Sequence, residues 1–458
     1  MIDPLCFHEF NSLPLDAQRS TLSKVSFLLL FMIDLKLLRE RPDYLKEICA
    51  QKKSAVDIGA ILALDTKRRE LSGKLDDVNR ARNEAAKTKD IESGKRLKQE
   101  ASVVEAQLLQ VETELDPLIL KIPNPPSSDT PVGKGEEENV VVRKVGQPKQ
   151  FTFKPKEHFE LGEALGIIDT KRGTEVAGTR FSYLMGDLVL LQNALHQFVL
   201  SILTSQEKLR AIAQAAKLDV SDKPFVPVAP PLFIKPEVFQ KMARLEPREE
   251  RYHIGSDDLY LIGSAEHTLG PLHMNETLKE SDLPLRYTAF TAAFRREAGS
   301  YGKDMKGIVR LHQFDKMEME SFAMPEQGIA EQNFLVAIQE YITAQLGLVY
   351  QVVMCCTGDQ GDPDARHIDI ETWMPGQGKY RETHSADYMT DYQTRRLNTK
   401  VKRADGKSEF VHTNDATAFA GRTLVAIIEN YQEEDGSIVV PTVLRVWMAK
   451  DKIQNTKS

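Results

Sequence analysis

The chain has few cysteines, and their positions argue against two classes of structure. Its 458 residues include Cys6, Cys49, Cys355 and Cys356, and no two of them form a Cys-x-x-Cys pair. Neither a zinc ribbon nor a disulfide framework is therefore indicated, and we expect no zinc. This cysteine usage fits a reducing compartment, so we expect a cytoplasmic protein.

Long hydrophobic runs are also lacking. A bilayer-spanning helix needs about 20 apolar residues, and the apolar run at Val25–Ile33 is far shorter. This run is similar to the core of a signal peptide, but no small-residue cleavage site follows it. We therefore expect no membrane segment. Residues 1–31 are interpreted as an N-terminal extension whose role the sequence does not indicate.

Excess positive charge is missing from the chain as a whole but present in one stretch. The formal net charge is −7, and the composition, 41% hydrophobic and 28% charged, is ordinary for a globular protein of about two or three domains. Residues 67–98 contain eleven Lys and Arg residues and six Asp and Glu residues, so the formal charge of this stretch is 11 − 6 = +5. Such a stretch is either a solvated surface or a surface that reads a phosphate backbone.

The same stretch has the apolar spacing of a helical hairpin. Apolar residues recur every three or four positions, with a break near Thr88–Gly94. We predict two helices that fold back as an antiparallel coiled-coil arm within residues 32–122, against the alternatives of a core helix pair or a dimerising coiled coil. The seam positions are Ile61, Leu64, Leu71, Leu75, Val78, Leu97, Ala101, Val104, Leu108, Val111, Leu115 and Leu118.

A segment rich in Pro, Gly and Glu separates this arm from the rest of the chain. It predicts a linker at residues 123–150 and a second domain at residues 151–458. In the second domain, Phe294–Phe322 reads as two strands joined by a charged loop containing glycines. On the second strand Arg310, Phe314 and Glu318 share a face, because alternate side chains of a strand point the same way. This face is either simply solvated or suited to an anionic, aromatic ligand with a cationic end.

The string FRREAGSYGKDMKGIVRLHQFDKMEME, from Phe294, resembles motif 2 of class II aminoacyl-tRNA synthetases. It is closest to the form of seryl-tRNA synthetases, FRxEAGSxGxDxxGxxRxHQFxKxE. The string MIDLKLLRERP, from Met32, is similar to the family's usual opening, and residues 225–232 and 410–432 occupy the places of motifs 1 and 3. The resemblance covers about residues 32–448. It implies an α+β fold in which the coiled-coil arm precedes a catalytic domain whose antiparallel sheet is flanked by helices.

The resemblance implies a role for each motif residue in binding ATP with Mg²⁺. Arg295 matches the arginine on the α-phosphate, Phe314 the ring that stacks on adenine, and Arg422 the arginine on the γ-phosphate. Glu382 and Ser385 match the metal and phosphate positions. The implied ATP-binding residues are Arg295, Glu297, Arg310, Phe314, Glu382, Ser385 and Arg422, of which Arg295 and Arg422 are implied to be catalytic.

The implied serine-binding residues are Ser264, Glu266, Arg295, Glu318, Asp415 and Thr417. Residues 259–266 predict a strand that carries Ser264 and Glu266 on its polar side. Ser264 replaces the family's threonine, and Glu318 matches the carboxylate that holds the serine ammonium. The segment from His412 is one residue shorter than the family pattern. If the gap precedes Gly421, Thr417 binds the serine hydroxyl and Asp415 replaces an asparagine; if it follows Thr413, Asn414 keeps its place and Ala416 lacks the hydroxyl.

The family also implies partners: L-serine, the serine tRNA and a second copy of the chain in a homodimer. The implied tRNA-binding residues are Lys74, Arg80, Arg82, Lys87, Lys89, Lys95, Arg96 and Lys98 in the arm, and Lys303 and Lys306 in the motif 2 loop. The expected activity is formation of seryl-adenylate and transfer of serine to tRNA. The sequence leaves open whether selenocysteine tRNA is also charged. The alternatives are a paralogue that binds RNA or protein without aminoacylation, and a ligase that activates another small amino acid for a carrier.

Overall fold

A computed structural model describes residues 35–298 and 306–454 of the chain. The predicted extension at residues 1–31 and the predicted tRNA contact Lys303 lie outside the described residues. The chain divides into two compact units between Pro125 and Pro126. The predicted linker and domain limits stay a prediction, although residues 140–145 form a strand of the second unit's main sheet.

The first unit is helical. Two short helices, α1 (Leu35–Glu40) and α2 (Pro42–Gln51), precede the two long ones, α3 (Ile58–Lys87) and α4 (Ile91–Ile119). The side chain of Asp57 accepts hydrogen bonds from the amides of Gly59 and Ala60, which satisfies donors at the start of α3. The predicted seam positions are all buried or half-buried, so α3 and α4 pack along the stripe that the spacing predicts.

The turn between the long helices is shorter than the sequence suggested. It spans residues 88–90, where Lys89 has a left-handed backbone (φ 58°). Asp90 accepts a hydrogen bond from the amide of Ser93 and so begins α4. Gly94 therefore lies inside α4 rather than in the turn, because the Asp90 cap starts the helix before the glycine is reached.

The second unit is built on an eight-stranded sheet. In chain order its strands are β1 (Val140–Val145), β2 (Val226–Pro227), β3 (Leu285–Phe294), β4 (Gln313–Ala323), β5 (Tyr350–Met354), β6 (Arg366–Met374), β7 (Lys379–Thr390) and β8 (His412–Ala420). The spatial order is β1-β5-β6-β7-β8-β4-β3-β2. Neighbouring strands are antiparallel except β2 and β3, which are parallel.

One face of this sheet is apolar and packs on two helices, α5 (Gly328–Gln345) and α6 (Gly421–Asn430). Met317 and Met319 of β4 belong to one hydrophobic cluster with Ala416 of β8 and Leu335 of α5. The amide of Gln339 in α5 donates to the carbonyls of residues 385 and 417, which fixes the helix on strands β7 and β8. Since alternate side chains point to opposite faces, the polar residues between these apolar ones share the other face.

Shorter elements surround the sheet. The other helices of the second unit are His158–Leu165, Thr170–Ala177, Asp187–Leu203, Gln206–Ala215, Pro236–Lys241, Glu266–Leu269, Tyr392–Leu397 and Arg445–Met448. The short strands form four small sheets. Two of them have two strands: Ile168–Asp169 pairs with Tyr183–Leu184, and Ile438–Val439 pairs with Lys452–Ile453. The other two have three strands: Leu259–Leu261 lies between Phe233–Ile234 and His253–Ile254, and Lys400–Lys402 lies between Thr277–Lys279 and Ser408–Phe410.

Among the described residues, no single helix has the length and apolar character to cross a membrane. The bent pair Asp187–Leu203 and Gln206–Ala215 reaches the threshold by length and composition only. Its buried apolar residues, among them Leu191, Leu195 and Ile212, belong to the main hydrophobic core of the second unit.

Candidate active site

The polar face of the sheet opens into a cavity that collects residues from four separate stretches of the chain. Residues predicted to bind ATP, together with Thr417, line this one cavity. Those residues are Arg295, Glu297, Arg310, Phe314, Glu382, Ser385, Thr417 and Arg422. Three of them, Arg295, Glu297 and Arg310, lie outside the strands where the sequence placed them, because β3 ends at Phe294 and β4 begins at Gln313.

Arg295 and Phe314 lie side by side in the wall of the cavity. The Arg295 guanidinium lies over the Phe314 ring, 5.4 Å from its centroid, and its Nε donates to the carbonyl of Gly263 at 3.0 Å. Glu297 has a left-handed backbone (φ 51°) and accepts a 3.0 Å hydrogen bond from Arg310. A guanidinium beside an aromatic ring suits a ligand with a phosphate next to a flat base.

Arg422 lies in the first turn of α6 and faces β7. Its Nη1 donates to the Glu382 carboxylate at 2.7 Å, and this charge lowers the pKa of Glu382. Glu382 is therefore ionised at neutral pH. Its carboxylate and the hydroxyl of Ser385 present oxygen ligands to the same cavity, and oxygen ligands are what Mg²⁺ prefers.

A second group of predicted residues lies together deeper in the protein. Lys316 connects it to the cavity, because this side chain lines the cavity and also contacts Ser264 and Glu318. Lys316 Nζ lies 3.1 Å from Ser264 Oγ and 2.6 Å from Glu318 Oε2, and Ser264 donates to the same carboxylate at 3.1 Å. Glu266 Oε2 lies 3.8 Å from Lys316 Nζ.

Burial and the neighbouring charges separate the pKa values of the two glutamates. Burial raises the pKa of Glu318 to about 7, although Lys316 opposes this shift. Burial alone would also raise the pKa of Glu266, but the positive charges of Lys316 and Arg244 keep this pKa well below the usual range. At neutral pH the pocket thus holds one fully ionised carboxylate and one near its midpoint.

The register of β8 distinguishes the two possible alignments of the chain from His412 with the family pattern. Thr417 pairs with Glu318 across the sheet, and its hydroxyl lies 3.3 Å from Ser385 Oγ, in the cavity. Ala416 is fully buried in the apolar cluster on the opposite face. This geometry supports the alignment in which the gap precedes Gly421 and Thr417 takes the hydroxyl position.

Comparison with known proteins shows the family to which the chain belongs. Residues 32–126 match the seryl-tRNA synthetase N-terminal domain, and residues 250–431 match the tRNA synthetase class II core domain (G, H, P, S and T). A serine–tRNA ligase of Fervidobacterium nodosum is 38% identical over 440 residues, 92% of this chain and 99% of that protein. A serine–tRNA ligase of Thermobifida fusca is 39% identical over 434 residues, 92% of this chain and 98% of that protein. The chain belongs to the seryl-tRNA synthetase family.

Solved structures of seryl-tRNA synthetases agree with this assignment. The enzyme of Pyrococcus horikoshii, solved with ATP, has a TM-score of 0.84 and 34% identity, covering 93% of this chain and all of that one. The cytoplasmic enzyme of Naegleria fowleri, solved with AMP, has a TM-score of 0.80 and 29% identity, covering 93% of this chain and 99% of that one. The predicted family, the α+β class II fold, the use of ATP and the function as a serine–tRNA ligase are confirmed.

Two residues that the sequence analysis did not assign belong to this seryl-tRNA synthetase site. Lys316 joins the cavity to the deeper carboxylates, and its place two residues before Glu318 on one strand face could have indicated it. Arg244 contacts Glu266, Asp364, Asp387 and Asp415 at 3.3–3.6 Å. It follows a short helix far from any motif, so no pattern in the sequence pointed to it.

One predicted strand of the family's serine pocket is shorter than expected. The strand ends at Leu261, and Glu266 begins a short helix instead of continuing an extended chain. The amide of Gly263 donates to His267 Nδ1 at 3.0 Å, which holds the intervening turn. Ser264 and Glu266 nevertheless reach the same Lys316 side chain.

The predicted tRNA-binding residues of the arm surround its tip. Seven of the eight are exposed and Arg82 is half-buried. Some are paired with acids of the same unit, including Lys74 with Glu100 and Lys87 with Glu84. Lys306 in the second unit is exposed, and its Nζ lies 5.1 Å from the Phe159 ring centroid.

Proposed function

We propose that the polar face of the main sheet carries out serine activation, with the residue roles that the sequence analysis assigned. In this proposal Phe314 stacks on the adenine of ATP, Glu297 accepts from its amino group, and Arg310 holds Glu297 in place. Arg295 contacts the α-phosphate and Arg422 the γ-phosphate. The support is that these side chains line one cavity, with Arg295 beside the Phe314 ring and Arg422 across from it on α6.

Glu382 and Ser385 would hold Mg²⁺ together with the phosphates of ATP. The metal would supply positive charge that offsets the charge on the departing pyrophosphate. The ionised Glu382 and the oxygen-only donor set fit such an ion. In the free protein Arg422 pairs with Glu382, so ATP binding would exchange that pair for contacts of each residue with the nucleotide.

Serine would occupy the space between this cavity and the deeper carboxylates. Thr417 would contact the serine hydroxyl, and Glu318 would balance the ammonium. Ser264 and Glu266 would complete the pocket, with Asp415 on the same sheet face. If alanine were bound in place of serine, the buried partner of the serine hydroxyl, Thr417, would be left unpaired, and this disfavours alanine as a substrate.

The reaction needs little proton transfer. A carboxylate oxygen of serine attacks the α-phosphorus, a new O–P bond forms, and the bond to the β-phosphate bridging oxygen breaks as pyrophosphate leaves. Arg295 is placed to stabilise the negative charge on the α-phosphate oxygens, and Arg422 the charge on the leaving group. Rate enhancement would come from positioning and electrostatic stabilisation. Serine would then pass to a terminal ribose hydroxyl of tRNA, with release of AMP.

The exposed basic residues of the arm would contact the backbone of the serine tRNA, and Lys306 with Lys303 would contact its acceptor end. A homodimer is proposed because the family resemblance implies one and because Val226, on the edge strand β2 of the main sheet, is exposed at 54%. The location of the reaction is proposed to be the cytoplasm.

One observation carries the proposal: the predicted ATP residues and Thr417 meet in one cavity beside the buried Glu318. Incubation with ATP, Mg²⁺, labelled serine and total tRNA tests it. The expected product is serine ester-linked to tRNA, formed only when Mg²⁺ is present. Failure to charge any tRNA, with the protein folded, would favour the paralogue without aminoacylation.

A further inference from the structure

A cysteine, a histidine and an aspartate lie together on the main sheet, outside the nucleotide cavity. Cys355 follows the end of β5, and its amide donates to the carbonyl of His367 in β6 at 3.0 Å. Asp369 lies two residues further along β6, so its side chain shares the face of His367. None of the three is among the described residues that line the nucleotide cavity.

The donor atoms of these three side chains converge. Cys355 Sγ lies 3.4 Å from Asp369 Oδ2, and His367 Nε2 lies 2.9 Å from Asp369 Oδ1. One donor atom of each residue lies within 4.8 Å of those of the other two. In a tetrahedral zinc site with bonds of about 2.0–2.3 Å, ligand atoms are about 3.4–3.6 Å apart. An opening of about 0.5 Å between His367 and Asp369 therefore gives the spacing that zinc requires.

The chemistry of the donor set selects the metal. Zinc binds thiolate sulfur, imidazole nitrogen and carboxylate oxygen, and Cys355, His367 and Asp369 supply one of each. Magnesium and calcium take oxygen ligands, so a site with sulfur and nitrogen disfavours both. This donor set differs from the oxygen-only pair of Glu382 and Ser385.

His367 is oriented by a second carboxylate on its other ring nitrogen. Its Nδ1 contacts Asp387 Oδ1 on β7, while its Nε2 is directed at Asp369. Asp387 is itself held by Arg244, whose Nη2 lies 3.6 Å from Asp387 Oδ2. A carboxylate on the outer nitrogen is the usual partner of a zinc-binding histidine, because it fixes the ring and raises the basicity of the ligand nitrogen.

Cys355 has an outer partner as well. The side-chain amide of Asn139 directs its Nδ2 at Cys355 Sγ, at 3.7 Å, and at Asp359 Oδ2, at 2.7 Å. Its Oδ1 accepts from the amide of Cys356 at 2.9 Å, so the Asn139 side chain is held at both ends. An N–H group directed at the sulfur favours the thiolate that a metal requires.

The group is buried on the cysteine side and open on the other. Cys355 is fully buried, whereas the side chains of His367 and Asp369 are 18% and 14% exposed. An ion can therefore enter past His367 and Asp369, and a water molecule can complete the tetrahedron.

We propose that Cys355, His367 and Asp369 bind one zinc ion, with water as the fourth ligand. Asp387 and Asn139 are positioning residues that orient the histidine and the cysteine. Binding releases two protons, one from the Cys355 thiol and one from His367 Nε2, because zinc takes a thiolate and the lone pair of a ring nitrogen. The ion joins the end of β5 to β6, so its role is to stabilise this part of the sheet.

This site does not depend on the proposed serine activation. The expectation of no zinc rested on the lack of a Cys-x-x-Cys pair, whereas these ligands come from separate elements that meet only in the folded chain. A protein without aminoacylation activity could bind the ion equally well, and the test below does not measure activity.

The full-length protein is stripped with a chelator and titrated with Co²⁺, and separately with Zn²⁺, in the presence of excess Mg²⁺ to fill oxygen-only sites. We expect one Co²⁺ per chain, with the absorption bands of tetrahedral cobalt and a thiolate-to-cobalt charge-transfer band. Zn²⁺ should displace the cobalt and raise the melting temperature of the protein.

The deciding variant is Cys355→Ser, and its matched control is Cys356→Ser. Cys356 is the neighbouring buried cysteine, but its Sγ contacts the carbonyl of Gly135 at 3.3 Å, away from the group. Cys355→Ser should remove the thiolate band and weaken zinc binding by more than about a hundred-fold, because loss of a ligand exceeds the effect of losing an outer partner. Cys356→Ser should bind zinc as the wild type does.

Asp387→Asn tests the outer partner of the histidine. It keeps all three ligands and removes the charge on His367 Nδ1, so zinc affinity should fall by about ten- to hundred-fold while the thiolate band remains. If Cys355→Ser does not fold, His367→Gln takes its place, with the same expected loss of affinity.

Three results would overturn the inference. The first is an adventitious ion only, meaning less than one Co²⁺ per chain or binding that the stripped protein does not saturate. The second is one bound Co²⁺ without a thiolate band. The third is equal zinc affinity in the wild type and Cys355→Ser, or an equal loss in Cys356→Ser.

Discussion

At the scale of single residues, the site is an arrangement of charges of both signs on one sheet face. Arg295 and Arg422 lie in the outer cavity, and Lys316 joins it to the buried Glu266 and Glu318. The outer part suits phosphates and the inner part an ammonium. ATP and serine are therefore expected to bind side by side, with opposite electrostatic requirements.

Replacing Arg295 by alanine should remove the cation on the α-phosphate. We expect serine-dependent exchange to fall by about a hundred- to thousand-fold, as for the loss of one transition-state donor. The matched control is Arg296→Ala, because Arg296 is the exposed neighbour and does not line the cavity. Near-normal exchange in Arg295→Ala, or an equal loss in the control, would remove Arg295 from its role.

The pKa of Glu318, raised to about 7 mainly by burial, predicts a pH dependence of serine binding. Below pH 7 this carboxyl is protonated and cannot balance an ammonium, whereas above pH 7 it is ionised. The serine KM should therefore rise about ten-fold as the pH falls from about 8 to about 6. The inhibition constant of 3-hydroxypropanoate, which lacks the ammonium, should not rise over that range, and a flat serine profile would contradict the assignment.

At the scale of elements, the sequence predicted the helices whose apolar residues recur periodically, but it did not predict element boundaries that depend on a single hydrogen bond. The seam of α3 and α4 was readable because burial follows the helical period over many turns. The start of α4 was not readable, because the Asp90 cap begins the helix before Gly94, although a glycine there suggested a longer turn. Ser264 and Glu266 were placed on a strand, but hydrogen bonding around His267 turns the chain into a short helix.

Charge reversal in the arm is expected to impair transfer of serine to tRNA without affecting serine activation. The triple variant Lys95→Glu, Arg96→Glu and Lys98→Glu alters exposed residues of α4 only. We expect the KM for tRNA to rise at least about ten-fold, since phosphate contacts supply much of such affinity, and serine-dependent exchange to stay normal.

A control triple variant carries the same charge change outside the basic stretch, at Lys46, Lys53 and Lys121, which are exposed. If both triples impair charging equally, net charge rather than the arm surface is responsible. If neither does, the arm has no part in tRNA binding.

At the scale of the whole molecule, the motifs specified the family and the catalytic sheet, but not the long-range contacts. Arg244 meets Asp364, Asp387 and Asp415 only because two strands and two loops are brought together by the fold. No local pattern contains that information. The residues of the nucleotide cavity were predictable from the motif 2 and motif 3 strings and, for Glu382 and Ser385, from the string between them, whereas the contacts of Arg244 required the folded chain.

The proposed homodimer predicts a mass of 2 × 51.6 = 103.2 kDa. Sedimentation at micromolar concentration should give this value for the wild type and a shift toward the monomer for Val226→Asp, because a charge would be buried at an apolar interface. Val446→Asp is the control, since Val446 is also an exposed apolar residue, at 77%, but lies in the C-terminal helix. A monomeric wild type would contradict the dimer.

Amino-acid-dependent ATP–pyrophosphate exchange, measured in parallel with serine, threonine, alanine and glycine, tests the central claim most directly. The polar face described here predicts exchange with serine well above that with threonine, and none above background with alanine or glycine. Exchange with alanine or glycine alone, or with no amino acid at all, would contradict serine activation at this site.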